Sequence, residues 1–100
     1  MIRHAVMWKL KESAEGKSKK QNIEVISREL FALLPVIPEI KKMEIGANIK
    51  ETPASMDLML ICEFDSLETL AVYADHPAHR KVAEYVGKVS ESRVVLDCEI

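Results

Sequence analysis

"DLMLICEFD", residues 57–65, is apolar on both sides of an extended chain: Leu58, Leu60, Cys62 and Phe64 point one way, Met59 and Ile61 the other. Successive side chains of a strand face opposite sides of a sheet, so this stretch belongs inside a sheet that is covered front and back. The rest of the chain then has to supply two neighbours and two covers.

The first neighbour is "MIRHAVMWKL", residues 1–10, which alternates from its second residue, with Ile2, His4, Val6, Trp8 and Leu10 on one side and Ala5 and Met7 on the other. Residues 40–49 set Met43, Ile45, Ala47 and Ile49 against Lys42, Glu44, Gly46 and Asn48, the one-sided pattern of an edge strand. "KETPAS", residues 50–55, is the exposed turn that joins this strand to 57–65. A last strand spans 93–100, with Val94, Leu96, Cys98 and Ile100 on one face and Val95 on the other.

Two helices complete the order. Over 17–34, Ile23, Ile26, Leu30, Leu33 and Leu34 recur at helical spacing, and Pro35 with Pro38 ends the run. Ser66 caps a second helix that has Glu68 in its first turn. The order βαββαβ predicts one α+β domain over 1–100. Its topology is ferredoxin-like, an antiparallel sheet of strand order 4-1-3-2 with both helices on one side.

That leaves Ala5, Met7, Met59, Ile61 and Val95 as an apolar stripe with no cover of its own, rimmed by Lys9, Asp57, Glu63, Asp65, Asp97 and Glu99. Large exposed apolar patches are uncommon on soluble monomers, and a second copy packed sheet on sheet is the economical cover. The expected partner is therefore the chain itself, as a homodimer.

Composition excludes several classes. Lys plus Arg number 14 against 16 Asp plus Glu, a net charge of −2 that offers no attraction to nucleic acid or an anionic membrane. No stretch has the ~18 apolar residues of a membrane span, and the N-terminus lacks the apolar block of a signal peptide, which predicts a cytoplasmic protein. Cys62 and Cys98 read as small core residues, two strand spacings or about 9.6 Å apart, beyond the ~7 Å reach of a disulfide. The glycines are isolated, so no phosphate loop exists; neither cofactor nor metal is expected.

"YADHPAHRK", residues 73–81, interrupts the second helix. Proline disfavours the helical conformation in the residue before it and suits the first position of a helix, so the helix breaks at His76 and restarts at Pro77. His76 is then a solvated cap. His79, Val82, Ala83 and Val86 stand at i, i+3, i+4 and i+7 on the inward stripe of the restarted helix.

His4 also points inward. With Ser66 taken to lie beside Leu10, ~20 Å back along the helix at 1.5 Å per residue and ~20 Å back along the strand at 3.3 Å per residue bring His79 and His4 to one height. Tyr73 is placed to supply a hydroxyl, and Trp8 a wall. Two readings fit this arrangement: an acid–base site with His79 as base, or core histidines that satisfy one another.

"RHAVMWKLK", "LLPVIPEIKKMEIGANI" and "EFDSLETLAVYADHPAHRKVAEYV" together resemble the stress-responsive α/β barrel (Dabb) family over nearly the whole chain, most specifically in the Tyr-x-x-His-Pro-x-His run. The resemblance implies a dimeric α/β barrel. It also implies, from a plant polyketide cyclase of the family, cofactor-free lyase, cyclase or isomerase chemistry next to a carbonyl. His79 would be the general base, Tyr73 its partner or the oxyanion donor, and His4 the polarising residue. A further histidine of that cyclase, on the third strand, is matched by Leu58. Val6, Trp8, Leu58 and Val82 would line the pocket for a small apolar or aromatic ligand. Other members imply a non-catalytic binding or stress-protective role.

Overall fold

The structure, a computed structural model, describes residues 1–100. β1 (Ile2–Leu10) and β5 (Leu58–Phe64) are the two inner strands of a four-stranded antiparallel sheet of order β4-β5-β1-β6, with β4 at Lys42–Ala47 and β6 at Ser90–Glu99. This is the expected ferredoxin-like α+β arrangement. Residues opposite one another in the ladder share a face, so the pairs Val6↔Leu60 and His4↔Cys62 lie under the helices, while Ala5↔Ile61 and Met7↔Met59 lie on the open face.

A short hairpin absent from the sequence reading precedes the first helix. β2 (Ser13–Ala14) and β3 (Lys17–Ser18) are joined by Glu15 and Gly16 at φ 52° and 73°. Two successive positive φ angles match the twist of a tight hairpin, and glycine takes the second without strain. Ser18 then caps α1 (Lys19–Phe31): its hydroxyl accepts from Gln21 N at 3.2 Å, and the Gln21 side chain accepts from Ser18 N at 2.9 Å. The helix starts two residues later than 17, and it ends at Phe31 in a series of turns before Pro35 is reached. Leu34 is accordingly exposed, whereas Ile26, Leu30 and Leu33 are buried.

Ser66 caps α2 (Leu67–Asp75) as expected, accepting from Thr69 N. His76 is extended at φ −63°, ψ 133°, and Pro77 opens α3 (Pro77–Val89). The core lies between the sheet and the three helices, with Val6, Ile26, Leu58, Leu60, Phe64 and Val89 each 2% exposed or less. No helix is long and apolar enough to cross a membrane.

Further expectations are corrected. First, β6 is turned over. Val95 pairs with Val6 and faces the helix side, while Val94 and Leu96 pair with Met7 and Ala5 on the open face. The run Val94–Val95–Leu96 is apolar at every position, so alternation could not orient it, and a one-residue slip in register exchanges the two faces. The open stripe is thus Ala5, Met7, Met59 and Ile61 with Val94 and Leu96, the latter 62% exposed. Second, Cys98 is exposed on this edge strand rather than in the core; Cys62 is buried, and both are free.

Third, Asp57 is no rim residue. It is 4% exposed, accepts from Leu10 N at 2.7 Å and lies 3.3 Å from Lys19 Nζ. The register of β1 against β6 shifts between Lys9 and Leu10, and the Leu10 N–H turns to this carboxylate. Asp57 thereby ties the end of β1 to the start of α1. Ile49, expected on the inner face of the second strand, lies beyond the end of β4 and is fully exposed.

Candidate functional site

Phe64 pairs with Ile2, so Ser66 stands at the Ile2 end of β1, opposite to the expected end. His79 and His4 meet nonetheless, because the proline break changes the path. α2 stays at that end, its Tyr73 ring 5.1 Å from Phe64. α3 then travels beside β1 towards Leu10, where the Val89 carbonyl accepts from Lys11 N at 2.9 Å. The restart at Pro77 therefore begins α3 at the level of His4.

Three aromatic groups converge there. The Tyr73 ring centroid is 4.3 Å from that of His79 and 6.3 Å from that of His4. His79 donates from Nδ1 to the Ala74 carbonyl at 3.1 Å, and a carbonyl can only accept, so its Nε2 carries the lone pair. His4 Nδ1 lies 2.5 Å from Asp97 Oδ1, which leaves Nε2 as the open nitrogen of that ring too. His76 is a cap, as expected: its own Nδ1 accepts from Ala78 N at 3.0 Å.

Burial, above all, holds the His79 imidazole below the ordinary histidine range, and the nearby His4 and Arg93 charges push the same way against the Ala74 hydrogen bond. The Tyr73 phenol is raised well above its usual range, first by burial and then by the Cys62 thiol beside it; burial likewise pushes Cys62 up to about 12. The Tyr73 hydroxyl has no accessible surface and no hydrogen-bond partner. It is therefore not the hydrogen-bonding partner expected for His79; the ring packs against the imidazole instead.

These groups border a cavity of about 180 Å³ between β1, α3 and β6. Val6, Trp8 and Val82 line it, together with His4, Tyr73 and His79. Leu58 does not. It pairs with Trp8 at the far end of β5 and is buried in the core, and Leu60, one pleat nearer His4, takes the lining position. Sequence reasoning also missed Arg93, Ser90 and Gly87 in the wall, and Asp97 as the partner of His4. The turned-over face of β6 hid Arg93 and Asp97: both share the helix-side row with Val95.

With this geometry in view, the chain matches the Stress Responsive A/B Barrel Domain family over residues 2–100. The protein belongs to this family. The A/B barrel domain is also similar, at 29% identity and a TM-score of 0.86, to a dimeric protein of ferredoxin-like fold from Bacteroides fragilis, over 99% of this chain and 95% of that one. A dimeric ferredoxin-like protein from Thermobifida fusca matches with a TM-score of 0.85 and 22% identity, over 99% and 90% of the two chains. Hydroxynitrile lyase from Passiflora edulis matches with a TM-score of 0.82 and 21% identity, over 99% and 92%. At such identities the last two show the fold alone. No curated protein sequence matches the chain.

Proposed function

We propose that the protein is a cytoplasmic homodimeric α/β barrel whose subunits each bind a small carbonyl-bearing molecule. In this reading His79 takes a proton from the carbon next to the carbonyl. The observation that carries it is the setting of His79: its Nδ1 donates to the Ala74 carbonyl, its Nε2 is left open beside a cavity, and burial disfavours the charged form of the ring. A general base needs that combination. His4, oriented by Asp97, stands on the same cavity as the group that polarises the carbonyl or receives the proton.

The homodimer is supported by the open apolar stripe and by dimeric relatives. Two unpaired thiols suit a reducing compartment. A hydroxynitrile lyase among proteins of this fold is an example of such a scaffold carrying lyase chemistry.

One observation favours a second reading, a non-catalytic small-ligand or stress-protective protein: the Tyr73 hydroxyl is enclosed, so it offers no oxyanion donor to the cavity. Deuterium exchange separates the two. Wild-type protein in D2O should accelerate exchange of the C–H next to the carbonyl in small aryl methyl ketones and arylacetaldehydes, and His79→Ala should lower that rate about 10²-fold or more while the circular dichroism stays native. Compounds that shift the His79 resonance without any exchange would leave only the binding reading.

A further inference from the structure

The wall of the cavity holds one permanently charged side chain, Arg93, among neutral and mostly apolar neighbours. The other three arginines of the chain each have a carboxylate: Arg3 pairs with Glu63 at 3.0 Å, Arg28 with Glu29 at 3.8 Å and Arg80 with Asp75 at 3.6 Å. Arg93 takes part in none of the ion pairs of the protein. Asp97, two steps along the same row of β6, is already bound to His4. Arg93 lines the same cavity as Tyr73 and His79; burial dominates the shifts of both groups, and the Arg93 charge is a lesser contribution to each.

Arg93 is an exposed residue of the edge strand, and an unpaired guanidinium beside a mostly apolar wall is a recognition element for a planar anion, because its fork of donors matches the two oxygens of one carboxylate. The volume sets the rest of the ligand: about 180 Å³ compares with the ~150 Å³ apolar cavity that accepts a benzene molecule. We infer that the pocket selects a small monocarboxylic acid with an apolar body of one ring, its carboxylate held by Arg93 and its body lying against Val6, Trp8 and Leu60. The inference rests on the pocket reading above and adds the substrate class: the molecule brought to His79 is an anion, and His79 must stay neutral beside it.

Benzoate and its neutral isostere benzamide test this, followed through the His79 and Tyr73 NMR signals at pH 7.5 and physiological salt. Wild-type protein should bind benzoate about 10-fold or more tightly than benzamide. In Arg93→Met that preference should fall to within about 2-fold with benzamide binding unchanged, and Arg93→Lys should retain part of it. Equal binding of the two probes by wild type, or a preference that survives in Arg93→Met, overturns the carboxylate site and leaves the pocket standing. If neither probe perturbs either signal, the cavity is not a ligand site and both readings fall together.

Discussion

His79 donates its Nδ1 proton to the carbonyl of Ala74 across the break between α2 and α3, at 3.1 Å. The bond links the last turn of one helix to the first turn of the next. It exists because His76 is extended and Pro77 starts a new helix; in a continuous helix the Ala74 carbonyl would be committed to the backbone N–H four residues on. A proline that looks like a local interruption therefore chooses the tautomer of the candidate base.

The first prediction concerns pH. Burial lowers the His79 pKa below 6.5, so turnover that uses its lone pair should be level through neutral pH and fall only on the acid side of 6.5. Stability follows the same sign. As pH drops below 6.5 the unfolded chain takes up its proton first, and folding loses the contribution of His79 between 6.5 and the lower folded-state value. An NMR titration midpoint for His79 at or above 6.5 contradicts both statements.

Asp97 should act through His4. Its carboxylate is 39% exposed, so Asp97→Ala should change stability by less than about 1 kcal/mol. The ring loses its acceptor at Nδ1, and 15N chemical shifts should show His4 passing from one tautomer to a mixture, with Asp97→Glu restoring the original. An unchanged His4 spectrum in Asp97→Ala would remove Asp97 from the site.

Asp57 carries a larger load. Truncation to alanine leaves the Leu10 N–H buried without its acceptor and Lys19 without its buried partner, which should cost about 3 kcal/mol. Urea denaturation measures it. A loss below about 1 kcal/mol would show that water replaces the carboxylate at no great cost.

The reversal of β6 makes a contrast between neighbours. Leu96→Asp puts a charge on the open apolar face and should shift a micromolar sample from dimer to monomer in sedimentation, whereas Val95→Asp, on the helix side, should leave the dimer intact. The opposite result would restore the face first expected for Val95.

Much of this molecule could be read from residue order. β5, apolar front and back, demanded a central place, and the one-sided β4 an edge; the caps at Ser66 and His76 followed from residue type alone, because a serine ahead of an apolar run and a residue ahead of proline act within one turn of chain. The inward direction of His4 and His79 was legible for the same reason, each marked by a periodicity local to its own element. The family resemblance added the roles.

What escaped depends on contacts between segments far apart in sequence. Whether Asp57 faces water or the Leu10 N–H turns on where the ladder of β1 slips, and whether Arg93 or Val94 faces the cavity turns on a register that a uniformly apolar run leaves open. The direction in which α2 leaves the sheet, and hence which end of β1 it meets, is likewise a matter of packing. Local pattern determined which side chains could do chemistry here. Only the pairing of distant strands decided which of them stand together, because a shift of one residue moves a side chain to the other side of the sheet at almost no cost to its own segment.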